Sequence, residues 1–254
     1  MIGLLAQAAP TTHGPIKLGP IMPELIIAGT AILLMLMDSL RATRDQRPLV
    51  LLSLAGLAAA AAYSISLWNW KGPATVLGGM VAADKFAVFF RLVLISVAAL
   101  GVLLSSHYLD RAGEARGEYY PLLLFATAGM TLITAAADLI LVFLALEILS
   151  LSLYLMTGFS YRRMASAEAS MKYFLLGAFS SAFLLYGIAL TYGATGSTNL
   201  GTIAARATAS TVDVRLMLIA MGVVTNVCRT YIKTWRCGWT GTRVEEILIS
   251  LIRS

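Results

Sequence analysis

The run DLILVFLALEILSLSLYLM, residues 138–156, sets one carboxylate, Glu147, inside a stretch otherwise apolar enough to lie in a lipid bilayer. If a helix starts at Asp138, Glu147 follows nine residues later, or about 13.5 Å along the axis at ~1.5 Å per residue. That depth is half of a hydrocarbon core roughly 30 Å thick. A two-carbon stem cannot carry the carboxylate back to the headgroups, and a charge held there costs on the order of 2.5–3.5 kcal/mol even on insertion scales. Ser150 at i+3 and Tyr154 at i+7 fall on the same helical face and offer hydroxyls to a hydrated seam. Two roles compete. One is a protonated glutamate that only hydrogen-bonds a neighbouring helix. The other is a proton-binding carboxylate, loaded when its surroundings are apolar and unloaded when a cation approaches; this second role is the one we expect.

Lys172, in ASMKYFLLGAFSSAFLLYG, is the second candidate. It either snorkels to the interface on its long apolar stem or points into the bundle and exchanges charge with Glu147 through water. Gly177, Ser180 and Ser181 supply the small and polar helix contacts that such a seam needs. Asp138 is expected to cap the start of its helix by accepting from orphan backbone donors, with proton entry as the lesser alternative.

Long helices must position these groups. Apolar residues make up 59% of the 254 and charged residues only 13%, and mean hydropathy is +0.81. An ordinary soluble domain carries roughly 25% charged residues, so that class is excluded. Seven stretches approach the length of about 20 residues that crosses a bilayer, near 22–40, 49–68, 86–106, 119–137, 138–158, 171–193 and 214–228. Lipid forces backbone groups to pair within one segment or a closed barrel, and no alternating barrel strands are present. The fold class expected is therefore all-α, a polytopic transmembrane bundle of about six to seven helices.

Pro23 and Glu24 read as an ordinary helix start, the acid favouring the positive end of the dipole. Ala58 to Ala62 permit close helix approach, Trp68 and Trp70 suit an aromatic belt, and KGPATVLGGMVAADKF reads as a surface connection. His107 and Tyr108 are expected to close the third span. Residues 1–21 form a lead without a basic segment ahead of a long apolar core, so a cleaved signal peptide is not expected; His13 there reads as solvated.

A net charge of +6 does not point to nucleic acid, because the basic residues lie scattered in short loops and not in a stripe. Seven (Arg41, Arg44, Arg47, Arg111, Arg116, Arg162, Arg163) follow the odd spans and four (Lys17, Lys71, Lys85, Arg206) lie on the other side. The positive-inside rule then puts the amino terminus on the non-cytoplasmic side. Composition breaks near residue 223: Cys228 and Cys237, two of the four tryptophans and five basic residues crowd the segment 223–254. The seventh span loses its apolar character after Cys228. We expect a divergent basic tail there, from an early helix end or an altered reading frame; the cysteines match neither a metal pair nor a CxxC.

MPELIIA, GEYYPLLLFATAGM, DLILVFLALEILSLSLYLM and EASMKYFLLGAFSSAFLLYGIALTYGATGSTNL together resemble the antiporter-like membrane subunits of bacterial NADH-quinone oxidoreductase, subunit N above its siblings L and M, over about residues 20–222. The resemblance implies the amino-terminal half of a fold of about fourteen transmembrane helices with inverted repeats and broken helices. It further implies that Glu147 matches the family's key carboxylate and that Lys172 matches the lysine of its KYFLLG run. The family's GFK and PFHxWxPDVY motifs have no counterpart here; Lys233 lacks their context.

The function so implied is that of a membrane-arm subunit of respiratory complex I, coupling NADH-to-quinone electron transfer to proton translocation through buried Glu and Lys. The chain would bind no cofactor, with NADH, FMN, iron-sulfur clusters and quinone held by partner subunits, and its partners would be other complex I membrane subunits and lipid. A multi-pass place in the bacterial inner membrane, amino terminus periplasmic, follows. The alternatives are a subunit of a multi-subunit cation/proton antiporter and a truncated, non-pumping membrane scaffold.

Overall fold

A computed structural model of the chain describes residues 18–40, 47–70, 72, 75–112, 117–160, 164–208, 219 and 222. Residues 1–17 of the lead, nearly all of the expected seventh span and the tail 223–254 lie outside the described residues. Helices α1 (Met22–Leu40), α2 (Arg47–Ser66), α3 (Lys85–Ala112), α4 (Tyr119–Thr134), α5 (Leu139–Thr157), α6 (Met164–Thr195) and α7 (Leu200–Thr208) follow one another, with short 3-10 turns at Gly19–Ile21 and Leu67–Asn69. Among the described residues five helices are long and apolar enough to cross a bilayer, and α4 is a shorter apolar helix. The fold is an all-α bundle of apolar helices, as expected. Helix α3 continues past His107 and Tyr108 to Ala112, while its apolar span, Lys85–Ser106, ends just before that pair; the sixth helix begins at Met164, seven residues ahead of its expected start.

Local chemistry sets several of the ends. Asp84 accepts from the Ala87 amide at 2.8 Å and caps α3. Asp138, in extended conformation, accepts from the Ile140 amide at 2.9 Å and caps α5 as expected. Helices α1 to α4 pack in a closed ring, each against its two neighbours in that cycle. Ile27, Leu34, Leu57, Val102, Tyr120 and Leu124 fill its centre. Outside the ring α5 lies on α4, and α6 lies on α5. The contact of α4 with α5 is backbone to backbone: a β-carbon at Gly129 would stand 2.9 Å from both the Ala145 carbonyl oxygen and the Leu149 amide nitrogen. Apolar side chains such as Phe89, Val97 and Leu104 on α3 remain exposed, as a lipid-facing surface requires.

The connection after α2 is more ordered than its composition suggests. Strands β1 (Thr75–Val76) and β2 (Val81–Ala82) form an antiparallel hairpin, with Val76 opposite Val81. Leu77 in its turn has φ +54°, a left-handed conformation that costs a β-carbon-bearing residue about 1–2 kcal/mol and that surrounding bonds must hold. They do so through a stitched rim. The Ala82 amide donates to the Ala135 carbonyl at 2.7 Å, the Ala137 amide to Met80 at 2.8 Å, the Leu139 amide to Thr198 at 2.9 Å and the Leu200 amide to Ala137 at 3.0 Å. The Asn199 side chain donates to the Gly79 carbonyl at 2.8 Å, and the Thr198 hydroxyl donates to the Asp138 carboxylate at 2.6 Å. The hairpin, the α4–α5 turn and the α6–α7 turn are thus tied together at one end of the bundle, called here the hairpin end.

Candidate proton-handling site

Helix α5 presents two faces of different character. Ala145 is fully buried against α4. Glu147, two residues on, is turned by about 200° at ~3.6 residues per turn and so points away from α4. It is half-buried, and it makes no hydrogen bond or ion pair with another described residue. Ser150 and Tyr154, the two hydroxyl residues on its face, are both buried. The Tyr154 ring meets Tyr173 edge-on at 4.9 Å and Phe174 at 5.7 Å, and a β-carbon at Gly177 would collide with its hydroxyl. The Ser170 hydroxyl donates to the Tyr154 carbonyl at 2.9 Å. Ser180 is buried, and its Oγ has no hydrogen-bond partner among the described residues. Small and hydroxyl residues therefore line the α5–α6 contact as the spacing suggests.

Lys172 is not brought to this site. With Gly158 against Ser170 and Tyr154 against Phe174, the two helices run antiparallel. That register sets Lys172 roughly nine residues from Glu147 along α5, on the order of 14 Å. The Lys172 side chain is 52% exposed and pairs with Glu168 one turn back on its own helix. Of its two possible placements, the exposed one is adopted. Asp138 acts as a cap and as part of the stitched rim.

A second charge pair was not legible as such. Glu24, read from the sequence as a helix start with a favourable dipole, is buried and holds an ion pair with Arg91 of α3, Nη2 to Oε1 2.6 Å. The same Nη2 donates to the Pro20 carbonyl at 3.3 Å. The signal available was Arg91 itself, the one charged residue between Phe86 and Ser106 in an apolar span. At the other end of the bundle from the hairpin, a cleft of ≈ 680 Å³ opens between α1, α4 and α5, with Asp38 and Glu118 on its walls and Leu155 and Phe159 beside them.

Residues 136–238, which include Glu147 and Lys172, match the family model for the transmembrane region of NADH:quinone oxidoreductase and Mrp antiporters. The chain is similar to NADH-quinone oxidoreductase subunit N of Chloroflexus aggregans, 40% identical over 213 residues, covering 83% of this chain and 43% of the relative. Among solved structures it is similar to a chain of respiratory complex I from Thermus thermophilus with bound aureothin, 32% identical, TM-score 0.61, covering 80% of this chain and 42% of that one. A chain of the archaeal membrane-bound sulfane sulfur reductase shares the fold at 23% identity and TM-score 0.70, covering 84% and 45%. The chain thus spans less than half the length of the proteins it matches.

Proposed function

We propose that this chain, a relative of NADH-quinone oxidoreductase subunit N with an antiporter-like membrane fold, handles protons in the membrane arm of a respiratory complex I. The observation that carries the proposal is Glu147, an ionisable group in an apolar span, turned from α4, without a fixed partner among the described residues and aligned with buried hydroxyls. A carboxylate already locked to a cation cannot change its proton occupancy readily, whereas an unpaired one responds to every charge that approaches or leaves. Electron transfer from NADH to quinone belongs in this reading to partner subunits holding the flavin and iron-sulfur clusters. Its free energy reaches Glu147 as a change in nearby charge. Lys172 would join a relay only by exchanging Glu168 for an inward partner. The amino terminus faces the periplasm in this arrangement, and the hairpin end lies on that side.

The test is Glu147→Gln in the assembled complex in inverted membrane vesicles. NADH oxidation should persist while NADH-driven acidification falls about 100-fold or more, the scale of losing one essential proton-transfer group. Unchanged acidification at an unchanged oxidation rate would refute the role. A cation/proton antiporter subunit is the second reading, favoured by the breadth of the matched family model, which covers both classes. It predicts proton movement driven by a sodium or potassium gradient with no NADH present.

A further inference from the structure

We infer that Glu24 and Arg91 form an ion-pair latch, separate from the Glu147 site, that fastens the entry of the chain into α1 onto α3 and holds the hairpin end of the four-helix ring closed. Arg91 turns inward from a helix whose neighbouring Phe89, Phe90 and Val93 are exposed. Its side chain is 2% exposed and that of Glu24 is 6% exposed, so neither charge reaches water or lipid headgroups. One guanidinium nitrogen reaches both the Glu24 carboxylate in the first turn of α1 and the Pro20 carbonyl in the preceding 3-10 turn. That turn is gripped from another side, where Gly19 lies against the Trp70 ring, a β-carbon there coming within 3.3 Å of it. Pro20 is fully buried between these contacts.

The chemistry of the pair distinguishes it from Glu147. A guanidinium does not release its proton in a protein, and the carboxylate beside it has a permanent counter-charge. Asp84, on the wall of the small pocket next to Arg91, is engaged by the Ala87 amide. The pair therefore has the makings of a fixed fastener. Its strength shows on removal of one member, because the other is then left as an uncompensated charge in a low-dielectric site. Removal of both leaves a neutral, packed contact.

Hydrogen exchange of the full chain in lipid nanodiscs tests this. Glu24→Leu and Arg91→Met should each raise amide exchange in residues 19–26 by about ten-fold while residues 139–157 exchange as before. The double variant should return to within about three-fold of wild type. Wild-type exchange in both single variants, an equal rise in α5, or additive effects in the double variant would each overturn the latch. If a single variant fails to accumulate in membranes, accumulation of the double variant supports the latch and its failure overturns it.

Discussion

Gly129→Ala isolates the contact that sets the position of α5. The added β-carbon would lie 2.9 Å from the Ala145 oxygen and the Leu149 nitrogen, both backbone atoms that no rotamer change can move. Ordinary carbon contacts begin near 3.5 Å, so the helices must part by roughly half an ångström. Overpacking of this kind costs about 1–3 kcal/mol. Against it stands the gain from replacing a mid-helix glycine, about 0.8–1.0 kcal/mol, leaving a net change from near zero to about 2 kcal/mol of destabilisation. Gly29→Ala is the matched control, because a β-carbon at Gly29 meets nothing within 4 Å and should yield the helix gain alone. At about 2–4 °C per kcal/mol for a chain of this size, Gly129→Ala should melt about 2–12 °C below Gly29→Ala. Thermal unfolding in one detergent measures both. Equal midpoints, or a higher one for Gly129→Ala, would refute the claim that backbone contact at Gly129 fixes the α4–α5 spacing.

Asn199→Ala should cost about 1–2 kcal/mol, because the Gly79 carbonyl loses its side-chain donor; amide exchange in residues 75–82 should rise, and unchanged protection there would show that the backbone bonds alone hold the rim. Lys172→Met should leave the unfolding temperature unchanged, since the pair with Glu168 is exposed and local. If the same variant also leaves NADH-driven acidification unchanged, Lys172 has no part in the relay; a selective loss of acidification would place it there.

The parts of the fold visible in the sequence are those that depend on neighbours a few residues away. The bounds of α1 coincide with the apolar run 22–40, and Asp138 caps α5 because the extended residue before an apolar run is where an acid finds free amides. The alignment of Ser150 and Tyr154 with Glu147 followed from helical spacing, and both prove buried. The hairpin reads in sequence as a plain surface connection because its two-residue strands are too short to show alternation. Asn199 carries no local sign of a bond to Gly79. Glu24 carries a local cause, the helix dipole, that hides its partner, because Arg91 lies on another helix. Composition alone left the direction of Lys172 open. Its register against α5 settles the distance from Glu147, which no single-helix pattern could give.

The stitched rim also dictates an order of events during synthesis. Gly79 accepts from a residue 120 positions later, and Asp138 from one 60 positions later, so these bonds form late, after the loops between them have closed. A ribosome delivers α3, α4, α5 and all of α6 before the asparagine that completes the hairpin's partners exists. Until then Leu77 has less to hold it in its unfavourable backbone geometry. Arrival of Asn199 therefore completes the set of bonds that hold the hairpin shut.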